Sequence, residues 1–187
     1  MSEDRELVKH ALQGDRNAFE MLVLRHQQPL FNYLGRLVGE RETALDFTQE
    51  VFLRAFAKLE SFRPEYKFTT WLYRIASNCV IDHWRKKNIP CLSLDRSSGP
   101  DGEDAQRQAV DPSLSVVAGL EQAELRERIE RGLERLPPEL RELFVLRHVS
   151  GFSYDEIAAI KGQPSGTVKS RVFQAKETLR RMMEETP

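Results

Sequence analysis

The chain has 187 residues, with 28 Lys+Arg against 29 Asp+Glu for a net charge of -1, 40% apolar and 9% aromatic residues. That length allows one medium domain or two small ones at roughly 100–200 residues each. No apolar run approaches the ~18–20 residues of a membrane helix, the first residues lack the apolar core of a secretory leader, and Cys79, Cys91 and the scattered histidines form no CxxC or metal-ligand spacing.

In chain order, Asp15 is a candidate N-cap for a helix in which Phe19, Leu22, Val23, His26, Leu30, Tyr33, Leu34 and Leu37 recur at three- and four-residue steps. Pro29 falls inside that pattern and predicts a kink or a break. A second helix is predicted over about 43–59, with Val51, Phe52, Ala55 and Leu59 in an apolar arc. Gln49, Glu50, Leu53 and Ala57 lie on its other side, which leaves Leu53 exposed among polar neighbours. Spacing alone does not decide between an incidental exposed leucine and an anchor for a partner helix.

Ser61–Thr69 reads as a turn containing Arg63 and Pro64, followed by a helix over about 70–87 behind a Thr69/Thr70 cap. On that helix Leu72, Ile75, Ala76, Cys79 and His83 share one face, while Arg74, Asn78, Ile81 and Arg85 share another. The preceding turn and first helical residues add Phe62, Arg63, Tyr66, Lys67, Phe68 and Trp71. Aromatics interleaved with cations suit single-stranded nucleic acid, by stacking beside phosphate contacts. The same aromatics would serve equally as core residues at a helix start, and both readings stay open here.

Residues 91–118 are rich in Ser, Gly, Pro and Asp, hold 2 basic and 5 acidic side chains, and show little apolar periodicity. They read as a flexible acidic linker. Leu125, Ile129, Leu133 and Leu136 then mark a helix stopped by Pro137 and Pro138, the second of which can open a helix over about 138–149. Ser153 and Glu156 form a capping box for a short helix carrying Ile157 and Ile160, which Gly162 and Pro164 end. Ser165 is the expected cap of a final helix to about Met183, with Val168, Val172, Ala175, Leu179 and Met182 on its apolar face. Lys169, Ser170, Phe173, Gln174 and Glu177 lie opposite, flanked by Thr167 and Arg171. Two helices joined by a tight Gly-containing turn make a helix-turn-helix, and this polar face carries the donors that a major groove requires. Residues 161–181 hold six basic side chains and one acidic, so the near-zero net charge does not exclude DNA. Almost nothing alternates with period two, and the fold is expected to be all-α, with two small helical domains around the linker.

Together, DFTQEVFLRAF (Asp46–Phe56), FTTWLYRIASNCVIDHWRKK (Phe68–Lys87) and the stretch Leu136–Arg180 resemble regions 2.2, 2.3–2.4 and 4 of bacterial sigma factors of the extracytoplasmic-function type. The resemblance implies a region 2 domain over 1–90, a linker over 91–118 and a region 4 domain over 119–187. It implies that Asp46, Gln49, Glu50, Leu53 and Arg54 grip a coiled coil of the largest subunit of core RNA polymerase. Phe62, Arg63, Tyr66, Lys67, Phe68, Trp71, Arg74, Asn78 and Arg85 would serve the −10 element. Within that set the Phe62–Phe68 loop would pocket a flipped base, Asn78 would help read it, and Arg74 and Arg85 would contact backbone. Thr167, Lys169, Ser170, Arg171, Phe173 and Gln174 would meet the −35 element.

The function so implied is an alternative sigma factor that binds core polymerase, recognises both elements and initiates transcription by melting the promoter. Its expected partners are core polymerase, promoter DNA in duplex and single-stranded form, and an anti-sigma factor, with no cofactor and no metal. The chain is expected to be cytoplasmic, without membrane insertion, and monomeric when free. No catalytic cluster, Gly-rich phosphate loop or nucleophile motif points to an enzyme. A plain helix-turn-helix regulator would leave the exposed Leu53 face and the aromatic-basic loop without a role. A decoy that binds only an anti-sigma protein would not need the basic recognition helix.

Overall fold

The computed structural model describes residues 3–88 and 128–184. These form α1 (Glu3–Leu12), α2 (Arg16–Val38), α3 (Arg41–Ala57), a 3-10 turn (Leu59–Ser61) and α4 (Phe68–Asn88). After the break come α5 (128–135), α6 (Pro138–Phe144), a wider π turn (Val145–Val149), α7 (Tyr154–Lys161) and α8 (Ser165–Glu184). Among the described residues there is no strand, as the absence of period-two patterning implies. The linker prediction over 91–118, and Leu125 and Cys91 with it, lies outside the described residues.

Local sequence explains most of these boundaries. Asp15 caps α2 by accepting from the Asn17 and Ala18 amides at 3.0 and 3.4 Å. Pro138 sits in the first turn of α6, where its missing N–H removes no helical bond. Ser153 and Glu156 form the expected capping box, and Gly162 ends α7 in the left-handed region at φ 62°.

Several expected boundaries are corrected. Pro29 neither breaks α2 nor divides it, because Leu22 and His26 before it and Leu30, Tyr33, Leu34 and Leu37 after it are all buried. That continuous stripe outweighs the roughly 3 kcal/mol an interior proline costs, since each buried leucine contributes ~1.5–3 kcal/mol. Thr69 and Thr70 do not cap α4, which already begins at Phe68. Ser165 is the first residue of α8, and the Pro164 carbonyl accepts the opening bond from the Val168 amide at 3.1 Å. Helix α1 carries no expectation from the sequence, yet Val8 is buried and the helix packs on α2.

Helices α2, α3 and α4 pack on one another around Leu22, Leu34, Val51 and Leu72. Arg25 pairs with Asp4 and Glu3, both at 2.7 Å, and so ties α1 down. His26 lies beneath, 3.1 Å from Asp4, and burial holds its pKa below the ordinary histidine value despite the nearby carboxylate. The folded chain therefore prefers a neutral ring. His26 contributes stability above the unfolded value of 6.5 that is lost as pH falls through the lower folded one. Urea midpoints are expected to decline below that pH, and His26→Gln should flatten the decline; an unchanged pH profile would show that His26 is not responsible.

In the C-terminal half, α8 packs on α6 and α7 through Val168, Val172, Ala175 and Leu179. The two halves share one core rather than standing apart. Helix α4 lies against α7, and Tyr73 meets Phe152 edge-on with ring centroids 4.7 Å apart.

Candidate nucleic-acid and partner interfaces

Helix α3 turns Ala44, Thr48, Val51, Phe52 and Ala55 inward, with Phe47 half-buried against His83 of α4. Asp46 and Gln49 are exposed, and Glu50 pairs with Arg54 one turn on. Leu53 is 70% exposed, as its position opposite the apolar arc requires. It borders an apolar groove of about 480 Å³ lined by Phe19 and Val23 of α2 and by Phe52 and Phe56 of α3. Phe19 and Phe56 meet edge-on at 5.0 Å across it. Sequence reasoning missed these groove residues, although Phe56 lies three residues after Leu53 and therefore on the same helical face.

Helix α4 has two buried faces and one open stripe. Leu72, Ala76 and Cys79 are buried, while Tyr73, Ser77 and Val80 form a second buried face that helical spacing did not reveal. Arg74, Asn78 and Arg85 remain exposed on a shared stripe, with Ile81 half-buried between them. In the preceding loop Arg63, Tyr66 and Lys67 are exposed.

Phe62 and Phe68 are not surface stacking platforms: they are 7% and 1% exposed. With Trp71 they form a three-ring cluster whose centroids lie 5.6–5.9 Å apart. The apolar rings leave water for the core and fix the base of the loop, so Tyr66 and half-buried Trp71 are the aromatics left near its surface.

On α8, Thr167, Lys169, Ser170, Phe173 and Gln174 all face solvent, with Phe173 66% exposed. Arg171 is half-buried on the flank and pairs with Glu139 of α6 at 3.3 Å. This gives duplex DNA what its major groove reads, with cations, hydroxyls, an amide and one apolar side chain on one face.

Polar contacts also join the halves. Glu142 of α6 is fully buried; Tyr33 donates to its Oε1 at 3.0 Å and Lys161 to its Oε2 at 2.6 Å. Lys161 also donates to the Ser77 hydroxyl at 2.9 Å. Burial, reinforced by Glu142, pushes the Tyr33 phenol well above its ordinary pKa, so its proton stays in the bond. At the surface Lys67 reaches Glu156 at 2.7 Å. Burial would raise the Glu156 carboxyl, but Lys67 and the Ser153 amide and hydroxyl together hold it below its ordinary value. None of these pairings was legible in the sequence, where Lys161 counts among the six basic side chains of residues 161–181.

Among the described residues no helix is long and apolar enough to cross a membrane, and no cluster of metal-ligating side chains occurs.

Comparison with known proteins places the chain in a family. Residues 22–89 match the Sigma-70 region 2 family and residues 126–179 match Sigma-70, region 4. The RNA polymerase sigma-H factor of Pseudomonas aeruginosa is 35% identical over 97% of this chain and 94% of its own length. The ECF RNA polymerase sigma-E factor of Escherichia coli is 37% identical over 94% of this chain and 92% of its own. Among solved structures, CnrH in complex with the cytosolic domain of CnrY has a TM-score of 0.72 at 26% identity, covering 100% of both chains. The sigma factor RpoE of Bartonella quintana in complex with the anti-sigma factor NepR has a TM-score of 0.70 at 27% identity, over 90% of this chain and 98% of that one. The chain therefore belongs to the extracytoplasmic-function sigma factors, the non-enzymatic alternative subunits that direct transcription initiation by RNA polymerase.

Proposed function

We propose that the exposed sets on α3, α4 and α8 divide the work of a sigma factor among polymerase binding, −10 opening and −35 docking. The observation that carries this reading is that Asp46, Gln49 and Leu53 of α3, Arg74, Asn78 and Arg85 of α4, and Thr167, Lys169, Ser170, Phe173 and Gln174 of α8 are exposed on three separate helices. Leu53 would seat in the coiled coil of the largest polymerase subunit, with the apolar groove behind it. Asp46, Gln49 and the Glu50–Arg54 pair would set register around it, as polar rims do around a buried anchor.

Helix α8 would enter the −35 major groove. Lys169, Ser170 and Arg171 make phosphate or base-edge contacts, and Phe173 is placed for a thymine methyl. The loop 62–68 and the stripe of α4 would take up a base released from the −10 duplex. Unstacking a base costs a few kcal/mol, which capture on the protein offsets in part. Asn78 offers both a donor and an acceptor to the base edge, while Arg74 and Arg85 neutralise the backbone beside it. Phe62 and Phe68 support this loop from within, and Tyr66 or Trp71 supplies the stacking face. No phosphoryl-transfer group is required of this chain.

An anti-sigma partner is also proposed, since two structural neighbours are described in complexes with CnrY and with the anti-sigma factor NepR. In keeping with a subunit that assembles only with its partners, the free chain is proposed to be a cytoplasmic monomer.

The test is in vitro transcription with bacterial core polymerase on a promoter library. Promoter-specific initiation is expected; core binding without it would favour a decoy that engages anti-sigma proteins alone. Within the same assay, Asn78→Ala is expected to lower discrimination at one −10 position by about 1–3 kcal/mol. Unchanged base preference and unchanged melting would remove Asn78 from this role.

A further inference from the structure

Helix α1 contributes nothing to the exposed sets on α3, α4 and α8, yet polar bonds as well as packing hold it in place. At 10 residues it would not persist alone in water, where helices under about 12–15 residues are marginal. Val8 anchors it in the core. Asp4, in its first turn, is engaged on both oxygens: Oδ1 accepts from Arg25 at 2.7 Å, and Oδ2 lies 3.1 Å from His26 Nε2. Arg25 also donates to Glu3 at 2.7 Å.

His26 is the unexpected member of this group. It occupies the buried stripe of α2 between Leu22 and Leu30, where an aliphatic side chain would fill the same place with no polar group to satisfy. Its ring is 8% exposed, and the bond to Asp4 holds it in one orientation. That ring lies 5.4 Å from the ring of Phe68, the first residue of α4. Phe68 in turn meets Phe62 and Trp71. A satisfied polar contact inside a core fixes geometry that apolar packing alone leaves free to adjust.

Phe62 and Phe68 are the two ends of the −10 loop, and α1 reaches both. At the entrance it packs on the 3-10 turn Leu59–Ser61, which leads directly into Phe62. At the exit it reaches Phe68 through Asp4 and His26. Arg63, Tyr66 and Lys67 between these ends are exposed, so the shape of the loop depends on how its ends are held.

We infer that Asp4 and His26 are positioning residues for −10 recognition: α1 brackets the loop, and the Asp4–His26 bond sets Phe68 and with it the face that Trp71 offers to a base. The inference rests on the sigma reading, because that reading gives the loop a base to hold. A binding constellation works only when its supports hold it to within about 0.5 Å.

The test uses the full chain with core polymerase. His26→Phe keeps a ring in the stripe and removes only the bond, Asp4→Ala removes the acceptor, and Asp4→Asn retains an acceptor oxygen. His26→Phe and Asp4→Ala are each expected to lower discrimination at the −10 base by about tenfold, with core binding and −35 preference unchanged, while Asp4→Asn keeps most of it. In a Trp84→Phe background Trp71 is the sole tryptophan, and its quenching by acrylamide should rise in the first two variants but not in Asp4→Asn. Leu37→Ala, a core truncation at the far end of α2, is the stability control: it should lower Tm and leave −10 discrimination alone.

Thermal unfolding checks that each variant folds, and Asp4→Ala carries the test if His26→Phe does not. Unchanged discrimination, or an equal loss in Leu37→Ala, would overturn the positioning role. Asp4→Asn as impaired as Asp4→Ala would refute the part given to the bond, and lost discrimination with unaltered quenching would refute the route through Phe68. A wild-type chain that binds core but never initiates would defeat the sigma reading itself, while Trp71 quenching would still judge the bracket.

Discussion

Leu53→Ala is expected to weaken binding to core polymerase by about 2 kcal/mol, roughly 30-fold, while leaving the fold intact. Leu53 is 70% exposed, so its truncation opens no cavity in the free chain. Its partner side is different. An apolar anchor beside a groove lined by Phe19, Val23, Phe52 and Phe56 excludes water on docking, and truncation forfeits that burial along with its packing. Exposed Asp46 is the internal comparison, because a rim charge changes association rate and salt dependence more than residence time. The measurement is surface-based binding of the full chain to core, with thermal unfolding run in parallel. A Leu53→Ala chain that binds core as tightly as the wild type would remove α3 from the polymerase contact.

Lys161→Met is expected to cost the packed chain about 3–5 kcal/mol, the penalty of leaving a buried carboxylate without its cation. Glu142 is 0% exposed and its Oε2 has Lys161 as the hydrogen-bond partner at 2.6 Å; Tyr33 satisfies only Oε1. Adding Glu142→Gln removes the stranded charge and should recover most of the stability. Urea unfolding of the four members of this cycle measures the coupling. If the double variant lost the sum of the two single losses, the pair would carry no coupling and the charge argument would fail.

Much of the candidate site was legible in the amino-acid sequence. The exposure of Leu53, the stripe of Arg74, Asn78 and Arg85, and the polar face of α8 all follow from 100° per residue and from which side is apolar. Phe62 and Phe68 show where that reasoning stops. Aromatics at the entrance to a helix look alike in sequence whether they stack on a base or on Trp71. Their burial depends on the neighbouring faces of α2 and α4, including His26, whose ring lies 5.4 Å from that of Phe68. Pro29 is a second case: its local penalty is real, yet the buried stripe on either side decides the outcome.

The sequence by itself determined the all-helical architecture, the caps at Asp15 and Ser153, the turn at Gly162 and the outward residues of three helices. These depend on side chains within about one or two turns of each other, where periodicity and capping act. Only the tertiary structure decided that Tyr73, Ser77 and Val80 of α4 are covered, and that Lys67 and Lys161 are engaged rather than free for DNA. Tyr33 and Glu142 lie 109 residues apart in the chain. No local propensity encodes a contact at that separation, because it depends on which helical faces fit together once both halves have formed.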